Sequence, residues 1–166
     1  MRSNSAMTTT FSASLEAAGQ LAEDELEAIF RGAAQDASEL MTRRQAGVAD
    51  SGGTFREGFV PVDTGELINS VSVTINGAVT GSGGNGAPPD FVASLGAMTF
   101  DDVAEVVFTA AHARPMEYGF RIADDNDPDD DQYAGGDVDV AGRFFVRNTV
   151  QSWEQIVMAN AEYIKS

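Results

Sequence analysis

The triplet Asp63-Thr64-Gly65 is the strongest candidate for chemistry in this chain. In a dimeric aspartic protease, two such aspartates, one from each copy, share a proton and activate water. The triplet occurs once, so a monomeric protease, which needs two copies, does not fit. A dimeric protease should be all-β with a small residue after the glycine, whereas Glu66 follows here and would add a third carboxylate. The protease hypothesis is therefore disfavoured and stays open only as an alternative.

No other set of residues forms a convincing catalytic or metal site. Ser/His/Asp chemistry would depend on His112, the single histidine, and Arg114 lies only two residues away. We interpret His112 as a surface or interface residue. The absence of cysteine excludes disulfides and thiolate metal sites, and one histidine excludes a multi-histidine site. We predict no enzyme activity, no cofactor and no metal.

Two stretches match ligand motifs in composition but not in context. Gly81-Ser82-Gly83-Gly84-Asn85-Gly86 matches G-x-G-x-x-G, which must open a helix that receives a pyrophosphate. Ala87-Pro88-Pro89-Asp90 follows instead, so we predict a hairpin loop.

Residues 120–140 are rich in aspartate, but they do not fit an EF-hand. With Asp125 at the first position, Asp130 occupies the required glycine and Gly136 the bidentate glutamate. We predict a solvated acidic loop and leave loose binding of divalent cations open. Its aspartates are Asp124, Asp125, Asp127, Asp129, Asp130, Asp131, Asp137 and Asp139.

The chain is strongly acidic, with 26 Asp and Glu against 10 Lys and Arg and a formal net charge of -16. A negative charge of this size repels phosphate backbones and anionic lipid, which disfavours a role in binding DNA or a membrane surface. Residues 1–10 are a polar tail without an apolar targeting segment, and no apolar run is long enough to span a membrane. We expect a soluble, unexported protein.

The segment from Phe11 to Leu40 is predicted as one long helix, because apolar residues recur every three or four positions. Ser12 is the candidate N-cap, and Arg43, Arg44 and Gly47 mark the end. A domain of this size cannot cover such a helix along its whole length, so part of it should meet another subunit or protrude. The stripe comprises Phe11, Leu15, Ala18, Ala22, Leu26, Ile29, Ala33, Ala37 and Leu40.

The sheet is predicted to follow a glycine-rich connector at 47–59. Pro61 opens a turn in which Asp63 or Thr64 can cap a short helix over Glu66 to Asn69. Ser70 to Asn76 alternates strictly and is the clearest strand. Further strands at Phe91 to Met98 and Val103 to Thr109 complete an antiparallel β-meander of three to four strands.

The chain is then predicted to return to helix. Ala110 to Gly119 is typical of a helical turn ended by glycine. A terminal helix follows, whose one face comprises Val146, Val150, Trp153, Val157, Asn160 or Ala161, and Ile164. The predicted fold class is α+β: a long N-terminal helix, an antiparallel meander, and a C-terminal helix packed on the sheet. Residues 1–10 form a tail and 11–166 a single domain with an acidic loop insertion at 120–140.

Three short blocks follow one another in a fixed order. The first comprises Pro61, Val62, Asp63, Thr64, Gly65, Leu67 and Ser70; the second Glu117, Tyr118 and Gly119; the third Arg143 and Phe144. They resemble the Pro-Val-Asp-Thr-Gly-x-Leu-x-x-Ser, Tyr-Ala-x-x-x-Glu-[Phe/Tyr]-Gly and Ala-Arg-Pro-Phe-Leu-Arg blocks of the tail-completion, or head-tail joining, proteins of long-tailed bacteriophages. His112 replaces the usual aromatic of the second block, and the third block lacks its proline.

The resemblance implies a structural virion protein of the phage neck, a tail-completion or tail-terminator protein without an active site. Such a protein is made in the host cytoplasm and forms a ring, expected to be hexameric, that joins the tail tube protein to the head connector or stopper protein. An acidic ring would suit a channel through which DNA slides, because like charge prevents sticking. The alternatives are another neck or minor tail component and an acidic cytoplasmic binding module.

Overall fold

Helices and antiparallel strands occupy separate parts of the fold, which confirms the α+β class. The computed structural model describes residues 11–45, 55–122 and 138–165. The helices are α1 (Phe11–Met41), α2 (Glu66–Asn69), α3 (Phe91–Leu95), α4 (Ala113–Tyr118), α5 (Phe145–Gln151) and α6 (Trp153–Lys165). The strands are β1 (Arg44–Gln45), β2 (Val60–Pro61), β3 (Val71–Ile75), β4 (Ala78–Ser82), β5 (Ala104–Phe108), β6 (Gly119–Ile122) and β7 (Val138–Ala141).

Strand β3 is the centre of a three-stranded antiparallel sheet in the order β4-β3-β5. Val71 and Val73 are buried, whereas the alternate residues of β3 are half-buried, as the sequence pattern predicts. The predicted alternation of β5 is confirmed too, since Ala104, Val106 and Phe108 face the core. The sheet differs from a sequential meander because β4 and β5 lie on opposite sides of β3.

The prediction of a strand from Phe91 to Met98 is wrong. The predicted strand from Phe91 is the short helix α3, which begins where Asp90 Oδ1 accepts a hydrogen bond from the Ala93 N–H at 3.0 Å. The second strand of the sheet is instead β4, which pairs with β3 across Asn76-Gly77. Both turn residues are left-handed, with φ values of 52° and 79°. Asn-Gly is a strong hairpin signal, because both residues adopt positive φ at low cost.

The glycine-rich stretch at 81–86 lies partly in β4 and partly in the loop that follows, not wholly in a hairpin loop. A helix does begin soon afterwards, contrary to the sequence argument, but α3 has only five residues. The strand before it is antiparallel to its neighbour. Neither feature fits a dinucleotide-binding βαβ unit, whose strands are parallel.

Helix α1 is divided into a packed half and a projecting half. Ala33 and Ala37 are 0% and 7% exposed, whereas Leu15, Leu21 and Leu26 are 62%, 65% and 54% exposed. With 31 residues the helix is about 46 Å long, and its buried residues Ala33, Ala37 and Ser38 lie in its C-terminal half. The predicted protrusion is therefore confirmed within this chain. Ser12 lies inside the helix and is not its N-cap.

The packed half of α1 is held by the C-terminal helices. Phe145 of α5 inserts into the core, with its ring centroid 5.0 Å from that of Phe108. After a break at Ser152, α6 runs along α1, and Asn160 Nδ2 donates to Asp36 Oδ2 at 2.7 Å. The predicted packing of the C-terminal helix on the sheet is confirmed for α5. The core comprises Val60, Leu67, Ile68, Val71, Val73, Phe91, Leu95, Met98 and Phe145.

The ends of the acidic stretch at 120–140 are strands rather than loop. β6 and β7 pair in antiparallel register from Gly119 opposite Ala141 to Ile122 opposite Val138. Its remaining aspartates, Asp124 to Asp137, lie outside the described residues, as do the tail at 1–10 and most of the predicted connector.

Among the helices of the described ranges, none is long and apolar enough to cross a membrane.

Side-chain hydrogen bonds join the β3–β4 turn to the start of β5. Asp102 accepts hydrogen bonds from Thr99 N at 2.8 Å, Thr99 Oγ1 at 2.9 Å and Asn76 Nδ2 at 2.6 Å. Asn76 Oδ1 in turn accepts from Val103 N at 2.9 Å. The Thr99 backbone N–H, followed by the Asn76 amide and the Thr99 hydroxyl, lowers the pKa of Asp102.

We expect Asp102→Asn to destabilise the protein at pH 7 and to lose this effect in acid. The pKa of this carboxyl is lower in the folded protein than in the unfolded chain, where it is about 3.9. Its contribution to stability is therefore complete at a pH above the unfolded pKa and disappears as the pH falls through the folded pKa. Urea unfolding at pH 7, 5 and 3 measures the difference between variant and wild type. Asp101→Asn, at an exposed neighbouring carboxylate, is the matched control. A difference that stayed constant down to pH 3 would contradict the role of the Asp102 charge.

Candidate functional site

The three sequence blocks meet around helix α4. The first block approaches its start, where His112 Nδ1 lies 4.0 Å from Glu66 Oε1. The second block forms the end of α4, and the third docks against it, with the Arg143 N–H donating to the Met116 carbonyl at 2.9 Å. Segments far apart in sequence thus form one continuous region.

Hydrogen bonds to the end of α1 fix the first block. The Val60 N–H donates to the Arg43 carbonyl at 2.8 Å, and the Val62 N–H donates to the Gln45 carbonyl at 3.1 Å. This parallel pairing of β2 with β1 leaves Pro61 at the mouth of a cleft. Gly65 then has a φ of 83°, a left-handed conformation that favours glycine.

The predicted capping role of Asp63 is wrong. Helix α2 has no side-chain cap at Gly65, and Asp63 is exposed without a hydrogen bond inside the described part of the chain. The hydroxyl of Thr64 accepts from the Glu66 N–H at a long 3.4 Å. Leu67 is 4% exposed and anchors α2 in the core, and Ser70 closes the helix with a hydroxyl bond to the Leu67 carbonyl at 2.7 Å. Burial of Leu67 therefore fixes this turn more than side-chain capping does.

Glu117 caps a helix that is distant in sequence. Its side chain is 5% exposed. One carboxylate oxygen accepts from the Val146 N–H at 3.1 Å and the other from the Arg147 N–H at 2.8 Å, both in the first turn of α5. A carboxylate at this end of a helix satisfies free N–H groups and interacts favourably with the helix dipole. Glu117 thus joins the second block to the third.

Glycines at the same junction allow the two chain segments to touch. A Cβ at Gly142 would lie 2.5 Å from the Glu117 carbonyl oxygen, and one at Gly119 would lie 2.6 Å from the Val140 carbonyl oxygen. Gly119 also has a φ of 88°. Phe144, which precedes α5, has a φ of 52°, unusual for a residue with a side chain. Any larger residue at Gly142 would push the blocks apart.

Arginine side chains stacked on aromatic rings surround the junction. The Arg143 guanidinium lies 3.7 Å from the Phe55 ring centroid, and Arg147 lies 4.5 Å from that of Phe144 and 5.7 Å from that of Tyr118. Arg143 is 7% exposed, and its Nε has no hydrogen-bond partner. Burial lowers the pKa of Arg143, yet an arginine stays charged in proteins. The aromatic ring therefore compensates part of its desolvation.

A similar pair of stacked cations lies beside the first block. The guanidinium groups of Arg43 and Arg56 each lie 4.3 Å from the Phe59 ring centroid. Backbone bonds connect this group to the junction, since the Gly58 N–H donates to the Arg143 carbonyl at 2.6 Å. Four arginines, Arg43, Arg56, Arg143 and Arg147, thus stack on aromatic rings in this part of the fold.

An open cleft of about 450 Å³ lies between the first block and α4. Its apolar wall is formed by Phe55, Pro61, Leu67 and Met116. Its polar wall includes the first-block residues Asp63, Thr64 and Glu66 together with His112. In the described ranges, no group of three or more acidic or histidine side chains could hold a metal ion. The cleft therefore suits an apolar side chain flanked by charge.

Sequence reasoning missed several residues of this region. Phe55, Arg56 and Phe59 fall in the stretch predicted as a flexible connector, and their interleaving of arginine with aromatic residues was the available signal. Met116 directly precedes Glu117 of the second block and was not singled out. The blocks themselves were found, but their mutual contacts were not predictable from spacing.

Comparisons of this chain with protein-family models, with curated proteins and with solved structures found no match.

We expect Glu117→Gln to reduce the free energy of unfolding by about 1 kcal/mol and Glu117→Ala by about 2–3 kcal/mol. Glutamine keeps one acceptor for α5, whereas alanine removes the acceptor of the N–H groups of both Val146 and Arg147. Urea denaturation followed by circular dichroism measures both. Glu39→Gln, at an exposed position on α1, should stay within about 0.5 kcal/mol of wild type. Equal stability of all three variants would refute the capping role.

Proposed function

We infer that this chain is a structural virion protein of the phage neck, a tail-completion or tail-terminator protein that joins the tail tube to the head connector. The observation that carries this proposal is the convergence of the three blocks on one junction. Glu117, Gly119 and Gly142 have structural tasks there that explain their residue types without any catalysis. This supports a shared structural element as the source of the resemblance.

The surface of the chain favours assembly into a ring. Leu15, Leu21 and Leu26 are more than half exposed on the projecting half of α1. Val79 on the edge strand β4 and Val103 before β5 are also largely exposed, at 65% and 64%. Exposed apolar surface on different elements of a subunit allows head-to-tail contacts, which close into a ring when the rotation fits. The resemblance supplies the expectation of six copies.

The net charge of -16 agrees with a DNA channel. A lumen of like charge repels the phosphate backbone and keeps DNA free to slide. The proposed protein therefore needs contacts with the tail tube and connector proteins but no sequence-specific contact with DNA.

The location of the protein tests the proposal directly. We expect it in purified phage particles from the host that encodes it, and we expect antibody labelling at the head-tail junction in electron micrographs. Deletion of its reading frame should leave filled heads and separate tails. Its absence from purified particles, or labelling elsewhere on the tail, would refute the proposed role.

Asp63→Asn separates the virion protein from a dimeric aspartic protease. Because Asp63 is exposed and outside the core, we expect the free energy of unfolding to change by less than about 0.5 kcal/mol. Assembly of phage particles should be unchanged. A proteolytic activity on unfolded casein that the wild type has and this stable variant lacks would overturn the structural proposal. Thr64→Ser, which keeps the carboxylate, is the matched control.

A further inference from the structure

We propose that the cleft between the first block and α4 binds a basic segment of a partner protein. The charged head of one arginine or lysine of that segment lies at Asp63 and Glu66, and its aliphatic part lies along Phe55, Pro61 and Met116. The inference rests on the proposed function only for the identity of the partner, which there is the tail tube or connector protein. It adds the chemistry of the contact.

Both carboxylates of the cleft are exposed and have no lysine or arginine partner in the described ranges. Asp63 makes neither a hydrogen bond nor an ion pair with any described residue. The side chain of Glu66 is 69% exposed, and its charged neighbour is His112, whose Nδ1 lies 4.0 Å from Glu66 Oε1 and is charged only when protonated. Two such carboxylates in one cleft attract a cationic group and repel an anionic one.

The arginines near the cleft have contacts elsewhere on the same copy. Within the described part of the chain, none of their side chains lines the cleft. The carboxylates of the cleft are therefore left for a cation from another molecule. The contacts that hold these arginines are Arg44 with the Gly86 carbonyl, Arg43 and Arg56 with the Phe59 ring, and Arg143 with the Phe55 ring.

The apolar wall of the cleft suits the aliphatic part of a basic side chain. Phe55 is 38% exposed even though the Arg143 guanidinium lies 3.7 Å from its ring centroid. Pro61 and Met116 are half-buried beside it. Arginine and lysine bury their methylene groups on such surfaces while the charged head stays near water. A cleft of about 450 Å³ falls within the range of sites that enclose several apolar groups, so a neighbouring apolar residue of the same segment fits as well.

The backbone that carries the two carboxylates is fixed on both sides. Before them, the Val62 N–H donates to the Gln45 carbonyl at 3.1 Å. After them, Leu67 is 4% exposed and anchors α2 in the core. Asp63 and Glu66 thus belong to a turn that is already ordered without a ligand. A preorganised site loses less conformational entropy on binding.

Saturation-transfer NMR that observes the ligand tests this site on the full chain, and it works for large assemblies as well as for a monomer. The probe is the capped tripeptide leucyl-arginyl-leucine amide, and its control carries citrulline, the neutral analogue of arginine. We expect the arginine peptide to bind at least about fivefold more tightly, because only its charged head forms ion pairs with the two carboxylates. Equal binding of the two peptides by wild type would overturn the proposal, and this comparison needs no variant.

A pair of charge variants locates the binding site. Asp63→Asn with Glu66→Gln removes both carboxylates at exposed positions and should weaken binding of the arginine peptide about fivefold. Glu23→Gln with Glu25→Gln removes two exposed carboxylates from α1 and should bind the peptide like wild type. Circular dichroism checks that both variants fold. An unchanged affinity in the folded cleft variant, or an equal loss in the α1 variant, would show that the cleft is not the site.

Native mass spectrometry separates a partner protein from a second copy of this chain. We expect excess arginine peptide to leave the oligomers of the wild type unchanged. Dissociation of those oligomers by the arginine peptide but not by the citrulline peptide would assign the cleft to a cation of another copy and overturn the partner protein as its occupant. Absence of the protein from phage particles would remove only the virion role, because peptide binding is measured in solution. Absence of peptide binding would remove only the cleft as a site.

Discussion

The hydrogen bonds from the first turn of α5 to the Glu117 carboxylate are the constraint on which the rest of the fold depends. They place α5 so that Phe145 enters the core beside Phe108, and α6 follows along the packed half of α1. A buried carboxylate without these donors would lose several kcal/mol to desolvation. The first turn of α5 and the end of α4 therefore stabilise each other, and neither has a local substitute.

The contact between the end of α4 and the start of α5 also explains the residue types found in the second and third blocks. Gly119 and Gly142 permit the chain segments to touch, while Arg143 and Arg147 stack on aromatic rings around them. The burial of Arg143, which is 7% exposed as a residue, is tolerated because the Phe55 ring replaces part of the hydration of its guanidinium. Two cations are thereby held at the junction of the second and third blocks in a protein whose net charge is -16. The cleft itself is lined by the carboxylates of Asp63 and Glu66 and by His112.

The periodicity of apolar residues predicted secondary structure correctly where burial of one face determines the element. The stripe of α1 and the alternation of β3 and β5 were predictable because one face of each element is apolar. The predicted strand from Phe91 failed because short apolar runs fit helix and strand alike, and the Asp90 cap decided in favour of helix. Strand β4 was missed because Asn76-Gly77, rather than the richer glycine run after it, forms the tight turn.

The sequence by itself determined the α+β class, the overlong helix, the lack of cysteine chemistry and the three ordered blocks. Tertiary structure decided what each block residue does. Asp63 had the right spacing to cap α2, yet α2 is fixed by the burial of Leu67, and the long-range cap belongs to Glu117. The physical reason is that a carboxylate can accept hydrogen bonds from any exposed N–H group that comes within reach. Which groups come within reach depends on chain crossings, such as that at Gly142, that no local pattern encodes.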